Sequence, residues 1–261
     1  MMTSVTRFWP LLCGTHRYDK SLSTRGIGEG VIIEAPILAY LIETRNGRIL
    51  YDVGCDYNKV HDPKLRAQWY ENPAFAFGPP EVTEEQRLPS RLAQLGLDVR
   101  DVDCVVCGHL HFDHAGGLND MAHAEVHVHQ RELVAMCEPA DEAYFQDDFT
   151  HGVRWCVHCN DYGLGSGVQA IETPGHTAGH MSMLIELPKG KPVLLCGDAA
   201  DLQENLDEEI APGLCWHDSE QLAVSSIRKL KQIAEASGAE LWPNHDMAFF
   251  NRHNTFPFGQ E

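Results

Sequence analysis

The sequence predicts a single α/β domain over residues 1–261, built on two β-sheets. Three observations predict it: strand-type segments dominate both halves of the chain, helical segments lie between them, and no linker separates the halves. The 261 residues are 43% hydrophobic and 22% charged, which is enough apolar material for a sizeable core and does not resemble a disordered chain.

Taken in order, residues 32–43 read as a strand, and Asn46-Gly47 marks a hairpin turn into a second strand over 48–53. Residues 61–80 read as an aromatic loop carrying Trp69, Tyr70, Phe75 and Phe77. Thr83 to Gln86 has capping-box spacing and starts a helix running towards Leu95, where Gly96 stops it; Pro89 falls inside that span. Residues 103–107 form a short buried-type strand, 125–129 another, with a helix after it. The stretch 139–167, rich in Gly, His and acidic residues, reads as a long loop or lid. Strands follow at 168–173, 181–187 and 193–196. The clearest helix is 218–236, capped by Asp218, with Leu222, Ile227, Leu230 and Ile233 as its apolar stripe. A last strand, 240–242, leads into Asn244-His245-Asp246.

Charge narrows the function. Asp and Glu number 38 against 20 Lys and Arg, a formal charge of -18. Such a surface repels phosphate backbones and anionic lipid heads, so the expected partner is a small molecule, with no nucleic acid and no membrane surface; a homo-oligomer is compatible with it. The first twelve residues lack the long apolar segment of a secretory signal, and no run is long enough to span a bilayer. Nine cysteines, odd in number and scattered, fit a reducing compartment, so the expected location is cytoplasmic.

The chemistry concentrates in His109-Leu-His111-Phe-Asp113-His114-Ala-Gly-Gly. On a chain leaving a strand, positions two apart share a side, so His109 and His111 can grip one metal. Asp113 and His114 follow as the backbone turns, towards a neighbouring position, and Gly116 and Gly117 permit that turn. Imidazoles and a carboxylate are the ligands that borderline divalent ions such as zinc prefer. One loop cannot complete two coordination spheres. Three further strand ends offer the rest: Thr173-Pro-Gly-His176, Leu195-Cys-Gly-Asp198, whose two oxygens could bridge two ions, and Pro243-Asn-His245-Asp246.

On these motifs the chain resembles the metallo-β-lactamase superfamily from about Ala35 to Ala248. Within it, the chain most resembles the lactonases that open N-acyl-homoserine lactones and 4-pyridoxolactone. Tyr40-Leu-Ile-Glu-Thr, Ile49-Leu-Tyr-Asp52-Val-Gly54 and Ser225-Ser-Ile-Arg-Lys-Leu230 carry the likeness to that branch alongside the metal motifs. The resemblance implies an αββα sandwich of two mixed sheets flanked by helices, with two divalent metal ions, expected to be Zn2+, at one edge. It implies that His109, His111 and His176 hold the first ion and Asp113, His114 and His245 the second. Asp198 bridges them, while Asp52 and His180 support ligands. The implied activity is hydrolysis of a small-molecule lactone by a hydroxide shared between the ions, with Asp113 orienting it and passing a proton to the leaving oxygen. One position departs from that branch: Asp201 stands three residues after the bridging aspartate, where a tyrosine is usual. It is a second candidate catalytic residue, and it separates the ring-opening chemistry from any particular lactone.

Several features are read as structural. Cys156-Val-His-Cys159 has C-x-x-C spacing but no partner pair. Val126 and Val128 should face inward, leaving His127 and His129 to solvent, and Cys196 should pack as a small hydrophobe. The aromatics from Trp69 to Phe77, with Phe112 and Phe249, are as well explained by core packing as by a pocket. The competing activities are ester, thioester or phosphotriester hydrolysis on the same metals. A diiron oxidoreductase would carry glutamate where His111 stands, and a nuclease conflicts with the acidic surface.

Overall fold

A computed structural model describes residues 3–71, 75, 78–138, 141–149 and 152–260. Eleven strands among these form two mixed sheets. The first has the order β1 (Val5–Asp19), β2 (Ile32–Thr44), β3 (Gly47–Tyr51), β4 (Cys104–Val106), β5 (Glu125–His129) and β6 (Arg154–His158). Its first three strands are antiparallel neighbours and the rest pair in parallel. The second sheet runs from β7 (Tyr162–Gly163) through β8 (Val168–Glu172), β9 (Met181–Ile185) and β10 (Val193–Gly197) to β11 (Glu240–Pro243), with only β10 and β11 parallel.

The layers follow from strand parity. In β2, Ile37, Ala39 and Leu41 face one core, where they meet Leu92, Val105, Val126 and Ala135 on the helix side of the sheet. Leu38, Tyr40 and Ile42 face the other way, against Met183, Val193, Leu195 and Trp242 of the second sheet. The far face of that sheet packs Leu194 and Cys196 on Ile227 and Leu230 of a helix. Three cores therefore separate four layers, helices outside and sheets inside: the αββα sandwich, with the central strand buried on both faces as an uninterrupted apolar run requires.

The helices are α1 (Tyr57–His61), α2 (Pro63–Trp69), α3 (Leu88–Gln94), α4 (Phe112–Ala115), α5 (Gln130–Ala135), α6 (Gln203–Glu208), α7 (Glu220–Ser237) and α8 (Met247–His253). No described helix is long and apolar enough to cross a membrane.

Several expectations are corrected. β1 appears where no strand was expected; it is an edge strand, which tolerates Pro10, and its register shifts between Leu12 and Gly14. The aromatic loop contains α2, with Asp62 capping it through the Lys64 and Leu65 amides. Pro89 belongs to the first turn of α3, so the expected long helix divides into a short 3-10 turn and α3. The stretch 139–167 contains β6 and β7; Phe77 and parts of both expected loops lie outside the described residues. Asp218 does not cap α7: its backbone is left-handed (φ 58°), its carboxylate pairs with Arg25, and Ser219 occupies the cap position. The hairpin turn consists of Arg45 and Asn46, with Gly47 already paired to Thr44. His129 is buried, not solvent-facing: its Nδ1 accepts the Arg131 amide and its Nε2 lies 2.9 Å from Glu172.

Candidate metal centre

Strand β4 releases the chain at Val106, and the backbone bends at Gly108 and reaches His111 in an extended conformation before α4 turns it. This places His109 and His111 along one stretch and Asp113 and His114 on the following turn. The turn fits only because Gly116 and Gly117 have no side chain: a Cβ would strike the backbone of Cys55 and Asp56 at the first and the Val53 carbonyl at the second. Behind the motif, the buried Glu132 of α5 accepts four hydrogen bonds. They come from the Leu110 amide (3.0 Å), Tyr144 hydroxyl (2.7 Å), Thr177 hydroxyl (2.7 Å) and Gly179 amide (3.0 Å). One carboxylate thus fixes the His109–His114 loop against the loop that carries His176.

His176 follows β8, Asp198 follows β10 and His245 follows β11. All seven side chains singled out in the sequence converge, and their ligand-type atoms group within 4.8 Å of one another in overlapping trios. Asp198 lies at the middle. Its Oδ2 is 3.7 Å from His109 Nε2 and 3.4 Å from His176 Nε2; its Oδ1 is 3.3 Å from His114 Nε2; and His245 Nε2 reaches both, 3.2 Å from Oδ1 and 3.3 Å from Oδ2. His111 Nδ1 sits 3.1 Å from His176 Nε2 on the first side. Asp113 Oδ2 sits 3.6 and 3.8 Å from His114 and His245 on the second.

Four of the five imidazoles have the nitrogen facing away from this cluster occupied. His114 Nδ1 bonds Asp52 (2.8 Å), His111 Nε2 bonds Asp141 (3.1 Å), His176 Nδ1 bonds the Leu214 carbonyl (3.2 Å) and His245 Nδ1 bonds the Pro36 carbonyl (2.9 Å). Each acceptor orients its ring with the other nitrogen turned inward, the arrangement in which a neutral ring offers a lone pair to an ion. Both nitrogens of the fully buried His109, and Nε2 of His114, have no hydrogen-bond partner among the described residues. A buried nitrogen left bare is costly, so this donor set fits a pair of cations. Burial and neighbouring imidazoles hold His109 well below the usual histidine range, and burial brings His176 down to about 4, leaving both rings neutral and able to ligate.

The orientation of Asp198 is set from behind. Its amide donates to His180 Nε2 (2.9 Å), which fixes the proton of that neutral ring on Nδ1; burial holds the His180 pKa down to about 3. Nδ1–H therefore donates to Thr173 Oγ1, Thr173 to Ser182 Oγ and Ser182 to the Cys196 carbonyl, at 2.8, 2.8 and 2.7 Å. Gly197, at φ 55°, lets the chain pass: a Cβ there would meet His180 and Tyr51. Asp52, itself left-handed at φ 59°, completes the support by accepting the Gly108 amide at 2.7 Å.

The cluster forms the floor of a cleft of about 440 Å³, open to solvent, with His16, Tyr18, Leu22, Phe112, Ala143 and Leu214 among its walls. Asp201 lines it too. Burial and the Asp198 charge push the Asp201 carboxyl up to about 8. Beside it, Tyr18 OH lies 2.9 Å from Ser23 Oγ. His16 and Tyr18 are pocket residues that sequence reasoning missed, because β1 itself was missed; their two-residue spacing, which points both to one face, was the available signal. Glu132 and Asp141 left no such signal, since single carboxylates on helices and loops are common. Phe112 serves both the pocket and a small aromatic core with Tyr70, Phe75 and Phe145, whereas Phe249 packs between the sheets.

Residues 33–245 match the family described as the metallo-beta-lactamase superfamily. The chain is 32% identical to an N-acyl homoserine lactonase of a Bacillus species over 256 residues, covering 97% of this chain and 98% of that one. It is also 32% identical to the N-acyl homoserine lactonase AttM of Azorhizobium caulinodans over 230 residues, 84% of this chain and 85% of that one. Among solved structures it is similar, at a TM-score of 0.87 and 28% identity, to an N-acyl homoserine lactone hydrolase with N-hexanoyl-L-homoserine bound at its catalytic metal centre. That likeness covers 97% of this chain and 98% of the other.

Proposed function

The chain belongs to the metallo-beta-lactamase superfamily, and on that premise we propose that it is a metal-dependent lactonase, one catalytic domain that opens the ring of a small lactone to give the hydroxy acid. The observation that carries the reading is the position of Asp198 between the two groups, Oδ2 towards His109 and His176 and Oδ1 towards His114, with His245 within reach of both oxygens.

In this reading His109, His111 and His176 would hold one divalent ion and Asp113, His114 and His245 the other, with Asp198 shared between them and zinc as the metal. Two such ions polarise an ester carbonyl and make hydroxide available at neutral pH. The chain's own residues do the rest. As the ring C–O bond breaks, a proton must reach the departing oxygen. Asp113, part-exposed on the cleft floor, is the group placed to carry it. Tyr18 supplies a phenolic O–H to the same cleft. It shares that wall with Asp201, whose carboxyl, raised to about 8, keeps its proton near neutral pH, and Tyr18 is the group to which we assign the hydrogen bond to substrate. Leu22, Phe112, Ala143 and Leu214 give an apolar wall suited to an acyl chain, and an N-acyl homoserine lactone is the substrate this combination favours. Nine free cysteines and the acidic surface support a cytoplasmic setting.

The test is a panel of N-acyl homoserine lactones, other lactones, thioesters and phosphotriesters, assayed by acid release with metal-loaded protein and paired with elemental analysis. Turnover confined to lactones, with two ions per catalytic centre, is the expected result. Turnover of thioesters or phosphotriesters in preference to every lactone would overturn the reading.

A further inference from the structure

A second group of metal-ligating side chains lies outside the catalytic cluster and shares no residue with it. His127 of β5 and Cys156 of β6 are direct partners across the parallel ladder, and His158 is two residues further along β6. All three therefore project from the same face of the first sheet. His127 Nδ1 is 3.0 Å from His158 Nε2, and Cys156 Sγ is 3.6 Å from the same nitrogen; the three atoms lie within 4.8 Å of one another. An ion bound tetrahedrally at the bond lengths usual for zinc would set its nitrogens about 3.3 Å apart and nitrogen and sulfur about 3.6 Å apart. The two distances to His158 come within a few tenths of an ångström of those values without rearrangement.

The surroundings favour a ligand. The Tyr162 ring lies flat on His158, with centroids 3.4 Å apart and 7° between planes, and fixes its orientation. The Tyr162 hydroxyl is buried with no hydrogen-bond partner among the described residues. Burial lowers the pKa of both His127 and His158, so both rings are neutral near pH 7 and keep a lone pair to donate. The neighbouring His129 faces Glu172 and the Arg131 amide instead and is not part of the group. Cys159, the other half of the C-x-x-C spacing, points to Gln130.

We propose that His127, Cys156 and His158 form a separate metal site for a borderline or soft ion such as Zn2+, with the fourth position open to solvent, which clips the edge strand β6 to β5. Two imidazoles and one thiolate select such ions over Mg2+ or Ca2+.

The catalytic cluster contains no cysteine, which makes the site separately visible. Purified full-length chain is stripped of metal and titrated with Co2+. A thiolate-to-cobalt charge-transfer absorption should develop, with one ion per chain bound beyond those of the catalytic centre. Cys156→Ser should abolish that band and the additional ion while lactone turnover is retained, which also reports that the variant is folded. His127→Asn should weaken the band at a given cobalt concentration by about 10-fold or more in affinity. Absence of the band at saturating cobalt, or its persistence in Cys156→Ser, would overturn the proposal. The cobalt band and the ion count rest on no assumption about the substrate: lack of lactone turnover by the unmodified chain would count against the lactonase reading, not against this site.

Discussion

The molecule holds two histidine clusters built by different means. In the catalytic cluster, ligands come from four loops, and every ring except His109 has its outer nitrogen tied to a carboxylate or a carbonyl. In the second, the candidate ligands come from two neighbouring strands, the rings are half-buried, and His158 is constrained by its two ligand-atom neighbours and the stacked Tyr162. The difference separates preorganisation from proximity. The first site is held in shape before any ion arrives; the second is held by sheet register and one stacked ring, so its ion should exchange faster and matter less to turnover.

That contrast can be broken in four places. The largest effect is expected at the shared carboxylate: Asp198→Asn should release both catalytic ions and remove lactone turnover to background, read by elemental analysis and acid release. Retention of either ion at full occupancy would refute the shared-bridge geometry. Next, Tyr18→Phe keeps the ring but removes the hydroxyl, and should lower kcat by about 10²- to 10³-fold with metal content unchanged. An unchanged kcat would return the role to Asp201. A smaller loss follows from Asp52→Asn, which weakens the hydrogen bond holding His114: metal affinity should fall by about 10- to 100-fold in a competitive chelator titration, and excess metal should restore turnover. Least of all, Cys156→Ser should change kcat/KM by less than about 2-fold, because the second cluster touches none of the catalytic ligands. A loss as large as that of Asp52→Asn would mean that the two clusters are coupled.

How much of this was legible in the sequence depended on where the information is stored. The convergence of the seven candidate ligands was readable because metal chemistry restricts residue type and because each motif falls at the end of an apolar strand, as at Leu195-Cys-Gly-Asp198. The outward supports were only partly readable. Asp52 and His180 sit in motifs, whereas Glu132 and Asp141 become meaningful only once α5 and the residues after it fold over the His loop. Edge strands were the blind spot. β1 interrupts its pattern with Pro10 and Gly14, and β6 has solvent on one side, so neither shows the clean alternation of a half-buried strand. Both omissions hid chemistry: β1 carries Tyr18, and β6 carries Cys156 and His158. The capping role given to Asp218 failed for a different reason. A local hydrogen-bonding preference lost to a tertiary ion pair with Arg25.

The buried line from Asp198 through His180, Thr173 and Ser182 to the Cys196 carbonyl has a polarity, and its direction is dictated from one end by an amide that can only donate. Removing the hydroxyl of Ser182 would take the acceptor from the Thr173 proton, which cannot turn to His180 because Nδ1 carries a hydrogen that the Asp198 amide holds in place. Either the buried Thr173 hydroxyl stays unpaired, or the ring moves its hydrogen and loses the Asp198 amide, and both alternatives cost stability. A residue of β9 that touches no ion thereby helps to hold the strand end from which Asp198 projects.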